Sequence, residues 1–149
     1  MTEKPDAQAF LGQVMSAVPA LRAAGIVLEA IGDGHAEMRL PYRVDLVGYR
    51  ETGVLAGGII FTLMDSVSGA AVFSALPDLR PIVTLDLRID YLRPAKPQRD
   101  VTGQADCIKL SHHIGFVRGL AHDGDPGDPL ALTSGTFAIK RARSERQDG

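Results

Sequence analysis

Apolar positions change their period several times along this chain, and each change marks an element. From Asp6, a side chain suited to capping a helix, Phe10, Leu11, Val14, Met15 and Val18 recur at helical spacing until Pro19 breaks the run. One amphipathic helix is predicted there. Residues 26–31 and 35–40 flank Gly32-Asp33-Gly34, a turn sequence suited to an antiparallel connection, and read as a hairpin. Pro41, Gly48 and scattered charges leave residues 41–52 without a period, so they read as loop. Residues 53–76 are almost entirely apolar, with Gly57-Gly58 ahead of the helix-length segment 59–76, and a helix apolar on most faces is a buried one. After Pro77 the period falls to two. Val83, Leu85, Leu87, Ile89 and Tyr91 alternate with Thr84, Asp86, Arg88 and Asp90, the pattern of a strand with one buried face. Strands at 101–110 and 114–122 follow, and an Asp/Gly/Pro-rich turn at 123–129 leads into a last one at 130–140.

This order, with no strand–helix–strand alternation, predicts an α+β fold in which an antiparallel sheet wraps one long central helix. A single domain is expected over residues 1–140, and the charged segment 141–149 is expected to be a disordered tail. Composition narrows the function. With 16 Lys+Arg against 18 Asp+Glu and only 5% aromatic residues, the chain has no electrostatic footprint for nucleic acid and few side chains to stack on bases. The lone Cys107 excludes an internal disulfide, and no secretion signal is read at the amino terminus, so a cytoplasmic protein is expected. Residues 53–77 are long enough to raise the question of a membrane span, but four glycines and Asp65 favour a buried helix.

Asp65 carries the most information. An ionised carboxylate among apolar helix neighbours is costly to desolvate and has to be paired, protonated or placed at a site, so a catalytic role is expected. Gly57-Gly58 sits where a helix start leaves backbone N–H groups unpaired, available to an anion or a polarised carbonyl. Eight residues of helix separate Gly57 from Asp65 by about 12 Å, too far to meet on one substrate atom within a subunit. Two chains with antiparallel helices would bring one Gly57 to the other Asp65, so a homodimer is expected.

The runs Gly53-Val54-Leu55-Ala56-Gly57-Gly58, Leu63-Met64-Asp65 and Gly69-Ala70-Ala71, the strand 84–91 continuing into Leu92-Arg93-Pro94-Ala95, and Gly135-Thr136-Phe137-Ala138-Ile139 together resemble hotdog-fold acyl-CoA thioesterases of the phenylacetate-pathway type. The resemblance spans residues 26–139. It implies two subunits joining their sheets, often as tetramers, with acyl-CoA sites at the interface. By that likeness Asp65 is the general base or nucleophile, the Gly57 amide the oxyanion donor, and Thr84 the hydroxyl that orients the attacking water. No metal or redox cofactor is called for.

Two positions depart from the family pattern. Ala56 stands where a His commonly precedes the glycine pair, and Tyr49, Arg50 and Glu51 stand near the place of a common Asn. A non-hydrolytic acyl-CoA binder therefore stands beside the hydrolase as a reading, with a thioester hydratase or dehydratase third. Gly58 and Ala56 border the expected substrate carbonyl, and His112, His113 and Arg118 are candidate contacts for the CoA phosphates. Asp123, Asp125 and Asp128 lack the glycine spacing and closing Glu of a calcium loop and read as a hairpin turn.

Overall fold

The computed structural model describes residues 6–141, so the expectation for the charged tail falls almost wholly outside the described residues. The first helix, α1 (Ala7–Ala17), starts at Asp6, whose carboxylate accepts the Ala9 amide at 3.3 Å. Pro19 ends α1 without ending helical structure. It opens a second short helix, α2 (Pro19–Ala24), because a proline at the first helical position loses no hydrogen bond, and Gly25 at φ 73° closes it. Strands β1 (Val27–Gly32) and β2 (His35–Leu40) form the expected hairpin, with Asp33 and Gly34 supplying the two positive φ angles that its tight turn requires. Residues 41–52 are more ordered than their pattern suggests. A 3-10 turn (Val44–Leu46) leads into β3 (Val47–Tyr49), which pairs with β4 (Val54–Leu55); elements this short leave no periodic trace.

The long helix α3 (Gly57–Ala75) includes the glycine pair as its first two residues, two positions earlier than the apolar pattern begins. Strands β5 (Ile82–Tyr91), β6 (Val101–Leu110), β7 (Ile114–His122) and β8 (Ala131–Ile139) complete an antiparallel sheet of order β1-β2-β6-β7-β8-β5, and α3 lies across its inner face. Leu63, Val67, Ala71 and Val72 are fully enclosed there, the leucine and the two valines each contributing about 1.5–3 kcal/mol of burial. The helix sits close because the sheet is bare beneath it. A Cβ at Gly115 would come within 2.5 Å of Val72, and one at Gly103 within 3.0 Å of the Met64 sulfur. α3 has the length and hydropathy of a membrane span, yet its apolar faces are spent on this sheet, and it is the core helix of the fold.

Strand β5 departs from the reading of its sequence. It is an edge strand, and a bulge at Leu85 interrupts its pairing with β8: Thr84 pairs with Phe137, but Asp86 already pairs with Thr136. The extra residue shifts the alternation by one. Ile82 and Thr84 therefore turn toward α3 along with Leu87, Ile89 and Tyr91, while Val83 and Leu85, expected on the buried face, are exposed at 46% and 58%.

Candidate active site

Asp65 lies on the half-exposed stripe of α3 that runs beside β5, one turn after the exposed Phe61 and one before Gly69. The Thr84 hydroxyl donates to Asp65 Oδ1 at 2.8 Å, a contact that exists only because the Leu85 bulge turns Thr84 inward. Oδ2 makes no hydrogen bond among the described residues. The carboxylate is thus fixed by one oxygen and open at the other.

At the start of α3, Ala56 occupies the N-cap position with φ −63° and ψ 140° and has no side chain to cap the helix. The first backbone bonds of α3 are from Ile59 and Ile60 to the Ala56 carbonyl, so the Gly57 and Gly58 amides have no acceptor among the described residues. A Ser or Asp at position 56 would fill one such donor and stabilise the helix by about 1 kcal/mol; Ala leaves the donors open. Tyr91, which the sequence did not single out, stands against this turn. Its hydroxyl donates to the Gly57 carbonyl at 2.6 Å, and a Cβ on Gly57 would meet its ring at 3.4 Å. Burial pushes the Tyr91 phenol above its ordinary pKa, so the group is a donor at neutral pH. A groove of about 420 Å³ opens beside it, walled by Val54, Ile60, Tyr91, Arg93 and Ala95.

A second, larger cavity of about 770 Å³ lies between α1 and α3. Its near end reaches Ser66 and Gly69, one helical turn past Asp65, and its walls include Leu11, Val14, Met15 and Ile82. Phe10 and Phe73 also line it and stack with their ring centroids 5.3 Å apart. The apolar stripe of α1 therefore borders this cavity while its Leu11 and Met15 join the core.

The remaining candidates lie elsewhere. Arg118 alternates with the buried Val117, so it occupies the outer face of the sheet, opposite Asp106 and Ser134, with the whole sheet between it and Asp65. His112 and His113 pack edge to face at 4.4 Å in the exposed β6–β7 turn. That turn is at the Thr84 end of the sheet, since the Ile139 amide bonds the His113 carbonyl and Ile139 pairs with Ile82. The Asp-rich turn is held by a residue that sequence spacing could not assign to it. Arg93 grips Asp123 with two bonds of 2.7 and 3.0 Å, and the Lys96 amide adds a third at 2.8 Å. The Arg93 guanidinium holds the 5%-exposed Asp123 carboxyl far below the usual carboxylate range against the opposing effect of burial. No group of three His, Cys, Asp or Glu side chains positioned for a metal occurs among the described residues.

Comparison with known proteins identifies the family and the fold. The profile of the thioesterase superfamily matches residues 52–130, from just before β4 to the start of β8. A relative from Halobacterium salinarum, named only to the esterase class, is 33% identical over 144 residues, spanning 91% of this chain and 94% of its own. The medium/long-chain acyl-CoA thioesterase of Salmonella typhimurium is 28% identical, spanning 72% of this chain and 77% of its own. Among solved structures, a Pseudomonas aeruginosa protein superposes with a TM-score of 0.78 at 40% identity, over 91% of this chain and 96% of that one. A single-residue variant of the phenylacetic acid degradation protein of Thermus thermophilus does so with 0.71 at 26% identity, over 81% and 98%. With a profile match over more than half its length and an antiparallel sheet wrapped on one long helix, the chain belongs to the thioesterase superfamily and has the hotdog fold.

Proposed function

We propose that this protein is a cytoplasmic acyl-CoA thioesterase whose sites form between two copies of the chain, with a medium or long aliphatic acyl group as substrate. One observation carries the reading. On the exposed edge strand β5, Thr84 holds Asp65 and Tyr91 holds Gly57, and both side chains face α3 six rungs apart, about 20 Å along the strand. Among the described residues β5 has no neighbour on its far side, so its outer row of backbone N–H and C=O groups is open to another strand. Antiparallel pairing of two β5 strands about Arg88 continues the sheet and sets Thr84 of one copy opposite Tyr91 of the other. The Asp65 carboxylate of one copy then faces the Gly57 and Gly58 amides of the second, which closes the gap that no single chain can close.

The chemistry follows from these groups. Asp65 Oδ2 takes a proton from a water whose oxygen attacks the thioester carbonyl carbon. The oxyanion that forms is stabilised by the open amides of the second copy. As the intermediate collapses, the C–S bond breaks and the CoA sulfur leaves with the proton held on Asp65, giving the acid and the free thiol. Asp65 is thereby reset. The acyl group occupies the cavity between α1 and α3, whose size falls within the ordinary range of small-molecule sites and whose aliphatic wall begins one turn beyond Asp65. The Salmonella relative, a medium/long-chain acyl-CoA thioesterase, supports that chain class.

Two measurements test this. Thiol release from an acyl-CoA series should show kcat/KM rising with aliphatic chain length; binding of the same thioesters with no thiol released would leave the non-hydrolytic reading that Ala56 favours. Mixed dimers test the composite site. Gly57→Pro removes one oxyanion donor at a position where the Ala56 ψ of 140° accepts a following proline, and Asp65→Asn removes the base. Each variant alone should be nearly inactive. When half the dimers are mixed, activity should return to about a quarter of wild type, because each mixed dimer then has one intact site. No recovery in confirmed mixed dimers would place both groups in one subunit.

A further inference from the structure

We infer that Tyr91 is a positioning residue that strengthens the oxyanion hole, acting through the Gly57 carbonyl on the Gly58 amide. The inference rests on the thioesterase reading above and adds a role that the Asp65, Thr84 and Gly57 assignments do not contain. It starts from a peptide bond. The Gly57 carbonyl and the Gly58 N–H belong to the same resonance unit, so a hydrogen bond donated to that oxygen draws electron density from the nitrogen and makes the N–H a stronger donor. The Tyr91 hydroxyl makes such a bond at 2.6 Å, at the short end of the O–H···O range. The same oxygen also accepts the first-turn bond of α3, so both of its lone pairs are used and the peptide is held in one orientation.

The geometry leaves Tyr91 few other tasks. Its ring lies against the start of α3, where a Cβ on Gly57 would meet it at ordinary contact distance, 3.4 Å, and its hydroxyl has no other partner among the described residues. The ring is 49% exposed in the single chain, on the edge where a second β5 would bring Thr84 and Asp65, so pairing would exclude water from the bond. Excluding water strengthens a hydrogen bond of this kind. The donor is a phenol that stays protonated at neutral pH, and it carries no charge to attract an anion elsewhere. Tyr91 needs no contact with the substrate for this effect.

Two substitutions at this position test the role with readouts that a plain wall would not move. Tyr91→Phe keeps the ring and deletes the hydroxyl. It should lower kcat about three- to tenfold while leaving KM unchanged, and move the Gly58 amide proton upfield in the NMR spectrum of the folded dimer. Site-specific replacement of Tyr91 by 3,5-difluorotyrosine, a more acidic donor, should shift the same resonance downfield and restore or raise kcat, assayed below the lowered phenol pKa. A Gly58 resonance unmoved by both changes overturns the inference. So does a kcat that follows only the melting temperature. The amide shift is read without turnover, so a protein that released no thiol would sink the hydrolase reading while the polarisation of Gly58 was still judged on its own.

Discussion

Asp65 and Asp123 are the same side chain treated in opposite ways. Asp123 is 5% exposed and accepts two bonds from Arg93 and one from the Lys96 amide, so its charge is matched and its oxygens are occupied. Asp65 is half-buried with one neutral partner, Thr84, and one oxygen open. The first pattern finishes a turn; the second leaves an open oxygen, which the proposed mechanism uses as the base. Burial and hydrogen bonding alone do not separate a structural carboxylate from a reactive one. The unfilled oxygen near a cavity does, and in the proposed dimer it also faces open amides.

The contrast is broken most severely at the open carboxylate. Asp65→Asn keeps the Thr84 contact and side-chain volume but removes the base, and kcat should fall roughly 10²- to 10⁴-fold with an unchanged melting temperature. Loss of stability in step with activity would show that Asp65 belongs to the same class as Asp123. For Asp123 the damage should appear in folding. Arg93→Met strands a buried charge and should cost about 3–5 kcal/mol in denaturant unfolding, whereas Arg93→Met combined with Asp123→Leu should cost clearly less, because nothing charged remains to be paired. Thr84→Val keeps the shape of the strand and frees the carboxylate to rotate, so kcat should drop about tenfold, equivalent to the loss of one hydrogen bond to a charged group.

A smaller effect comes from His35, which shows the same logic at the surface. Burial lowers its pKa, but its bonds to Asp106 at 2.8 Å and Glu37 at 3.3 Å, with their charges, raise it more, so the net shift is upward from 6.5. A raised folded pKa means that the protonated form is favoured by folding. The stabilisation is present in full below 6.5 and is lost as pH rises through the folded value. Melting temperature should therefore decline modestly across the neutral range, and His35→Gln should flatten that decline. A decline of equal slope in the variant would assign the pH dependence to other groups.

Much of this was legible in the sequence, for reasons specific to each region. α3 was visible because no other element needs so long an apolar run, and Asp65 stood out against it. The β1–β2 turn was visible because Gly32-Asp33-Gly34 permits the positive φ angles found there. The bulge was not legible. Val83 and Leu85 are as apolar as Leu87 and Ile89, so the alternation reads unbroken while the strand shifts its phase. Arg93 and Asp123 are 30 residues apart, and nothing in a one-dimensional pattern joins them. Tyr91 escaped notice because a tyrosine closing an apolar alternation looks like one more strand residue. Arg118 was grouped with the exposed histidines by sequence proximity, which carries no information about the face of a strand.

The Leu85 bulge gives β5 something like a reading frame. Thr84 and Tyr91 are seven positions apart, and on a regular strand side chains an odd number of positions apart point to opposite sides. One inserted residue restores their agreement. Substitutions along this strand change letters, whereas losing one residue from the regular stretch 86–91 while the bulge stays would change the frame, turning Thr84 away from Asp65 and Ile82 away from the cavity together. A relative can thus keep both Thr84 and Tyr91 and still lack the arrangement, if the number of residues between them has changed.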